Sequence, residues 1–395
     1  MNYSIKTDEE RIYVYLSGKI TAQDLDTLKA DFAVLTKQYS DREWIMECSK
    51  LKYISSGGLR WILGLQQNLP KKISFTGVQP GVFDIFTQTG FRKLFNIERG
   101  LREISVKGCE LIGRGANGEV YRLKDETIVK AFMPGVDLLS VEKEEAVSHT
   151  VFESGLPAVI PYDTVRIAGG RFGIVYETLN SKTLSETIEE DPERFDEWIA
   201  KYVDLYRMMH EKDGSDYMLP LAKDVYRRHL MESADWYSEE EMDKLMRLLE
   251  SIPDRNTMVH GDYHPNNIMV SDGELIMIDL GDFSVGHPVF DFLATAATQA
   301  NLVELSPEYA EFHTKMKAER IKKGWSELIR QYFPDRTPEV RSRIDAQIRL
   351  FSKLKVACAP AVAKGIPEKL MRDSVNDAKE NLIPRIEELI GAIDW

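Results

Sequence analysis

Cysteine is scarce in this chain of 395 residues. Cys48, Cys109 and Cys358 lie far apart, are odd in number and form no C-x-x-C pair. That argues against a disulfide framework and a structural zinc site, and fits a reducing compartment. Long apolar runs are missing too: no stretch approaches the roughly 20 residues that span a bilayer. The start, Met1-Asn2-Tyr3-Ser4-Ile5-Lys6, is polar and runs into Asp8-Glu9-Glu10, unlike a signal peptide. A cytoplasmic protein with no membrane partner is the expectation. Basic residues are outnumbered, with 51 Lys and Arg against 64 Asp and Glu and a net charge of −13. No segment is basic enough to track a phosphate backbone, so no nucleic-acid partner is expected. Internal repeats and low-complexity tracts are absent.

What is present is the composition of a folded chain, 43% apolar and 29% charged. At roughly 150 residues per domain the length suggests two to three domains. In the first hundred residues strands alternate with helices. Arg11–Ser17 alternates β-rich side chains and stops at Gly18. Residues 21–38 carry Leu25, Leu28, Phe32 and Leu35 at helical spacing. Trp44–Cys48 and Lys72–Thr76 read as strands, and the segments opening at Leu59 and Pro80 read as helices. This is the pattern of a small α/β domain with a partly parallel sheet.

Ser55-Ser56-Gly57-Gly58 sits between a strand and a helix. Helix N-termini favour negative charge, and a phosphate on Ser56 would bring about −1.5 to −2 charges there. The same residues also serve as a plain N-cap with turn glycines. The stretch Glu47 to Arg60, with the order of elements around it, resembles the STAS domain of anti-sigma-factor antagonists. In that family a strand-end Asp is followed by Asp-Ser-Ser-Gly-Leu, whose first Ser accepts phosphate from a partner kinase. Here Glu47 holds the strand-end position, Ser55 replaces the second Asp, Ser56 matches the phospho-acceptor, and Gly58-Leu59 match the tail. The resemblance implies a STAS-like domain over 1–106 with a possible protein partner.

The pattern changes near 106–109. Leu111-Ile112-Gly113-Arg114-Gly115-Ala116-Asn117-Gly118-Glu119-Val120 holds G-x-G-x-x-G-x-V. A dinucleotide fold needs a helix straight after these glycines. Here a strand, a Lys124-Asp125-Glu126 turn and the strand Thr127–Phe132 follow, which suits a loop laying Gly113, Gly115 and Gly118 over ATP phosphates. Lys130, on the return strand, is placed to reach those phosphates. In the acidic helix that follows, Glu145 is the preferred partner for Lys130, with Glu142 as competitor, because Val141, Val147 and Val151 must also find a face. The strand Gly173–Leu179 is a candidate hinge, with Glu177 and Leu179 offering backbone groups to adenine. Ordinary strands share its pattern.

The most specific block is 259–291. His260-Gly261-Asp262-Tyr263-His264-Pro265-Asn266-Asn267 is H-x-D-x-x-x-x-N, closed by an apolar strand, and Glu274–Asp279 is a second strand ending in an acid. Phosphoryl transfer needs a carboxylate to orient a hydroxyl and accept its proton, which suits Asp262. It needs oxygen ligands for Mg²⁺, which suits Asn267 and Asp279. A hairpin whose Asp and Asn residues merely make turns is the alternative. His260 is read as bracing the loop.

Together these residues resemble the aminoglycoside and choline phosphotransferase branch of the protein-kinase-like fold, over about 108–395. The signature is His260-Gly261-Asp262-x-His264-x-x-Asn267, then Ile278-Asp279, then Gly286-x-Pro288-x-x-Asp291. Ala-Pro-Glu of protein kinases is missing, while the glycine loop is nearer to the protein-kinase form. The resemblance implies an α+β bilobal domain, with an N-lobe over 107–179 and a large helical C-lobe over 180–395. Helices are expected over 308–332, 338–358 and 366–393, with Tyr217, Trp236, Tyr237 and Trp325 as pocket or core aromatics. It implies ATP and Mg²⁺ as cofactors and a hydroxyl-bearing small molecule as acceptor. A protein serine, Ser56 or a partner's equivalent, is the alternative acceptor. A nucleotide-sensing binding protein is a third reading.

Overall fold

The computed structural model describes every residue except Ala116, Asp125, Asn180 and 363–367. One glycine-loop residue, the middle of the Lys124–Glu126 turn and the start of the helix expected over 366–393 therefore lie outside the described residues. The chain divides into two compact units, Met1–Ile104 and Ser105–Trp395.

In the first unit five strands lie side by side in chain order: Asn2–Thr7, Arg11–Ile20, Glu43–Ile54, Ser74–Val78 and Asn96–Arg99. The first pair is antiparallel and the others are parallel. Alternation puts Ile12, Val14 and Leu16 into the core opposite Trp44, Met46 and Cys48. The helix Leu25–Gln38 brings Phe32 edge-on to Trp61 of the helix Ser56–Gln67, with ring centroids 4.9 Å apart. Two differences from the sequence reading stand out. The strand expected over Trp44–Cys48 runs on to Ile54, because pairing with Arg11–Ile20 continues past irregularities at Tyr15/Ser17 and Gly18/Lys19. Asn2–Thr7 and Asn96–Arg99 are also strands. Both are edges whose polar alternate residues face outward, so little apolar signal marks them.

In the second unit five antiparallel strands lie in the order Glu110–Arg114, Gly118–Arg122, Thr127–Phe132, Arg171–Glu177, Pro161–Ile167. The helix Leu138–Glu153, capped by the Asp137 side chain on Ser140 N, packs on this sheet. Beyond it the chain is mostly helical. The helix Phe195–Glu211 buries Trp198, Tyr202, Tyr206 and Met209 on one face. A hairpin of Ile268–Ser271 and Glu274–Met277 is stitched to the segment that joins the helix Leu138–Glu153 to the strand Pro161–Ile167. Met277 N donates to Pro157 O and Val159 N donates to Met277 O.

The stretch expected as one helix over 308–332 is two, Pro307–Thr314 and Ala318–Tyr332, broken where Lys315 turns left-handed. The one expected over 338–358 is Pro338–Phe351 and Lys353–Ala357. The aromatics named as pocket or core candidates mainly pack. Trp325 is buried and donates to Asp345, and Tyr237 donates to the Ala357 carbonyl.

Candidate active site

The glycine loop is the turn between Glu110–Arg114 and Gly118–Arg122. Gly118 is required by the fold itself: a Cβ there would stand 2.5 Å from the Ala131 carbonyl oxygen. A Cβ on Gly113 would make ordinary contact with Val120 and one on Gly115 would meet open space, so packing requires neither glycine. The return of the loop is braced by Glu119. Its carboxylate accepts from Arg171 Nη1 at 2.9 Å, Tyr121 OH at 2.8 Å and Arg114 Nη2 at 2.8 Å. Those bonds, Arg171 first, hold the Glu119 carboxyl down at about 2.

Lys130 sits mid-strand between the buried Val129 and Ala131. Its Nζ donates to Asp279 Oδ1 at 2.5 Å and to Glu144 Oε1 at 2.7 Å. Burial opposes its charge, but Asp279 and Glu144 outweigh that and hold the ammonium well above its usual range. The carboxylate on Lys130 is thus Glu144, not Glu145 and not Glu142. The helix turns Glu145 inward with Val141 and Ser148, and it accepts from Thr164 Oγ1 at 2.7 Å. Thr164 lies two strands away from the lysine strand. A step of one residue rotates a side chain by about 100°, which separates the two glutamates. The stripe Val141, Glu145, Ser148 at helical spacing was the available signal.

The loop 260–267 is held by charge from behind. Asp291, fully buried, accepts from His260 N at 2.9 Å and Gly261 N at 2.6 Å, and its Oδ2 meets His210 Nε2 at 3.0 Å. His210 Nδ1 is in turn 2.9 Å from Tyr332 OH. His260 braces the loop from inside: its Nε2 donates to Ile278 O and its Nδ1 accepts from Asp262 N. Asp291 was visible as a motif letter, but nothing local in the sequence showed what it holds or that His210 stands behind it.

Asp262 is half-buried in its side chain. Its Oδ2 accepts from Asn267 Nδ2 at 3.2 Å and lies 3.6 Å from His264 Nε2. Burial works against its ionisation, but His264, then Lys355 and His260, overcome this and hold the carboxyl well below the usual range. Asn267 Nδ2 also donates to the Asp262 carbonyl at 3.0 Å. That fixes the amide and leaves Oδ1 for a cation. Asp279 occupies the left-handed region, with φ of 57°, at the hairpin's end. One oxygen takes Lys130, whose charge is the first cause of its lowered pKa. Among the described residues no three His, Cys, Asp or Glu side chains form a ready metal cluster. Asn267 Oδ1 and Asp279 Oδ2 are hard oxygen donors of the kind Mg²⁺ takes when phosphate oxygens and water complete its shell.

At the hinge, Glu177 N donates to Ile160 O and Thr178 N to Glu126 O, while the Glu177 carboxylate accepts from Ile160 N. Among the described residues no acceptor meets Leu179 N–H. Leu179 and Ile278 each pack against the cluster that holds Phe132, Val141 and Tyr176.

These elements recur in a known family: residues 108–318 match the model described as the phosphotransferase enzyme family. The chain belongs to that family. The phosphotransferase is similar in structure to the ADP-bound aminoglycoside phosphotransferase APH(2'')-Ib. The two share 15% identity, with 77% of this chain and 98% of that one covered and a TM-score of 0.46. It is similar to the amicoumacin kinase hAmiN in complex with AMP-PNP, Ca²⁺ and Ami, at 15% identity, 72% and 91% coverage and a TM-score of 0.46. Residues 4–98 match a STAS domain model, described as Mlab, STAS domain. The anti-sigma factor antagonist SpoIIAA in its unphosphorylated form is similar at 16% identity, 24% and 87% coverage and a TM-score of 0.22. No curated protein sequence matches the phosphotransferase. No helix among its described residues is long and apolar enough to cross a membrane.

In the STAS unit the capping serine is Ser55, whose Oγ accepts from Gly58 N at 3.3 Å. Gly57 and Gly58 are there for closeness: Cβ atoms would stand 2.6 Å from Leu25 Cδ1 and 2.7 Å from Ile54 Cγ1. Ser56 is the first helical residue and is exposed. Glu47 accepts from Ser49 N at 3.0 Å.

Proposed function

We propose that the second unit transfers the γ-phosphoryl group of ATP to a hydroxyl of a small molecule, and that the STAS unit regulates it through a protein partner. One observation carries this reading. The chain folds Lys130 onto Asp279, 149 residues away, while Asn267 of the adjoining loop bonds Asp262. A cation for phosphate, two oxygen donors for a metal and a carboxylate for an acceptor thus converge, which is the set that phosphoryl transfer needs.

In this reading Gly113, Gly115 and Gly118 lie over the phosphates, and Lys130, oriented by Glu144, anchors them. Glu177 and Leu179 offer backbone groups to adenine. Asn267 and Asp279 hold Mg²⁺. When bound, Mg²⁺ offsets the charge on the β- and γ-phosphate oxygens. Asp262 orients the acceptor O–H. As the hydroxyl oxygen bonds to the γ-phosphorus, the bond to the ADP oxygen breaks and the proton passes to Asp262. A carboxyl held so far below its usual range is a weak base, so orientation is the larger part of its role.

The test is ADP release with Mg²⁺ and ATP across a panel of hydroxyl compounds, with intact-mass spectrometry of the protein alongside. Acceptor-dependent ADP release that Asp262→Asn abolishes, with ATP still bound, supports the reading. A second reading is favoured by Ser56, which is exposed while Ser55 does the capping. Phosphate gained on Ser56 by the active protein alone would make a protein serine the acceptor. ATP binding with no turnover under any condition would leave a nucleotide sensor and overturn both.

A further inference from the structure

The catalytic loop turns at Gly261, where φ is +81° and a Cβ would stand 2.7 Å from the Asp282 carbonyl oxygen. No side chain stiffens this residue, so hydrogen bonds to its peptide groups set the direction in which the loop delivers Asp262. The amide side is held by Asp291, through His260 N and Gly261 N. The carbonyl side is held by Lys355, whose Nζ donates to Gly261 O at 3.2 Å from 94 residues further along the chain. That carbonyl belongs to the peptide that enters Asp262, and the N–H of the same peptide is spent on His260 Nδ1.

We propose that Lys355 is a positioning residue for Asp262, the cationic half of a two-sided charge clamp whose anionic half is Asp291. Three observations support this. The Lys355 side chain is only 18% exposed, and its closest carboxylate, Asp282, is 4.0 Å away. An ammonium largely removed from water is costly, and with its ion pair to Asp282 stretched to 4.0 Å its shortest polar contact is the carbonyl it serves. Its ammonium stands 5.7 Å from the Tyr226 ring centroid, over the ring face. The helix that carries it, Lys353–Ala357, is pinned from several sides. Lys353 pairs with Asp377, Tyr237 OH donates to Ala357 O, and Ser233 Oγ donates to Cys358 O. The clamp therefore reaches from a fixed helix and not from a loose surface chain. Lys355 also lies beyond the 108–318 stretch matched by the family model.

This inference rests on the proposed transfer chemistry, and the experiment separates the two. Steady-state hydrolysis of Mg-ATP, with water as acceptor, is measured for wild type, Lys355→Met and Lys355→Arg, with thermal melting of each. Methionine keeps the apolar stem over Tyr226 and removes the donor. The expected result is a fall in kcat of about tenfold or more for Lys355→Met, with KM for ATP within about twofold. Lys355→Arg, which can still donate to the carbonyl, restores most of the loss. No ADP release by wild type, with water or with any hydroxyl compound of the acceptor panel, overturns the transfer reading and this inference together. Active wild type with an unchanged kcat in Lys355→Met overturns the clamp alone. So does a loss that appears in KM instead, or one that arginine fails to restore.

Discussion

Asp291→Asn is the sharpest perturbation of the catalytic loop that leaves every reacting group in place. The wild-type carboxylate is fully buried and serves three partners: His260 N at 2.9 Å, Gly261 N at 2.6 Å and His210 Nε2 at 3.0 Å. The two backbone donors use different oxygens of the carboxylate. An asparagine amide has one oxygen and one NH2, so in either orientation one backbone N–H faces another donor. The loss is one charge-assisted hydrogen bond, about 1.5–3 kcal/mol, plus a stranded buried donor at about 1–3 kcal/mol. A total of roughly 3–5 kcal/mol is a large part of the roughly 5–15 kcal/mol that stabilises an ordinary domain. For a unit of this size it corresponds to a drop in melting temperature of about 5–8 °C. Urea unfolding and calorimetry on the full chain measure it, with turnover at a temperature where both proteins remain folded. A stability loss below about 1 kcal/mol, with turnover kept, would refute the view that Asp291 holds the loop.

Glu144→Gln should raise KM for ATP or lower kcat, by about tenfold in kcat/KM, because Lys130 keeps an acceptor at 144 but loses that negative charge and retains only Asp279 as a carboxylate; Glu145→Gln, which keeps an acceptor for Thr164, should change either by less than about twofold. The reverse order in steady-state kinetics would restore Glu145 as the partner. His287 is 1% exposed and its pKa is lowered from 6.5 to about 4, by burial first and then by Arg255 and His210. The unfolded chain therefore binds this proton first as pH falls. The stability tied to it is complete above about pH 6.5 and is lost progressively toward pH 4, roughly 3 kcal/mol in all. His287→Asn, which keeps an acceptor for Val289 N, should flatten that part of the urea-midpoint profile; an unchanged slope between pH 7 and 5 would count against it. In the STAS unit Ser55→Ala should cost about 1 kcal/mol through the lost cap and Ser56→Ala less than about 0.5 kcal/mol, read by denaturation. Equal losses would mean the capping role is misassigned.

Much of the site was legible because its pieces are local motifs. Gly118, Lys130, Asp262, Asn267 and Asp279 each announce themselves within a few residues, and the fold gathers the last four at one place. Glu144 was not legible in the same way. Choosing among neighbouring glutamates requires the rotation of the helix against the sheet, which depends on packing that the segment itself does not encode. Lys355 was less legible still, since its meaning comes from a carbonyl 94 residues away. In the STAS unit the alternating core strands were plain, while the polar edge strand Asn2–Thr7 carries too little apolar pattern to separate from a loop.

The backbone stitches around Met277 have a mechanical consequence. Met277 exchanges bonds with Pro157 and Val159, between the helix Leu138–Glu153 and the strand Pro161–Ile167, and Ile278 N donates to Asn267 O of the loop 260–267. Asp279 follows directly and so sits close to a fulcrum. If the small sheet rocks, displacement grows with distance from that point. The Lys130–Asp279 separation would change little, while the tip at Gly113 and Gly115 would sweep the longest arc. The space between the glycine loop and Asp279 would then open and close by travel of the loop over a carboxylate that stays still. A spectroscopic label near Arg114 would report that travel with far greater amplitude than one near the hairpin.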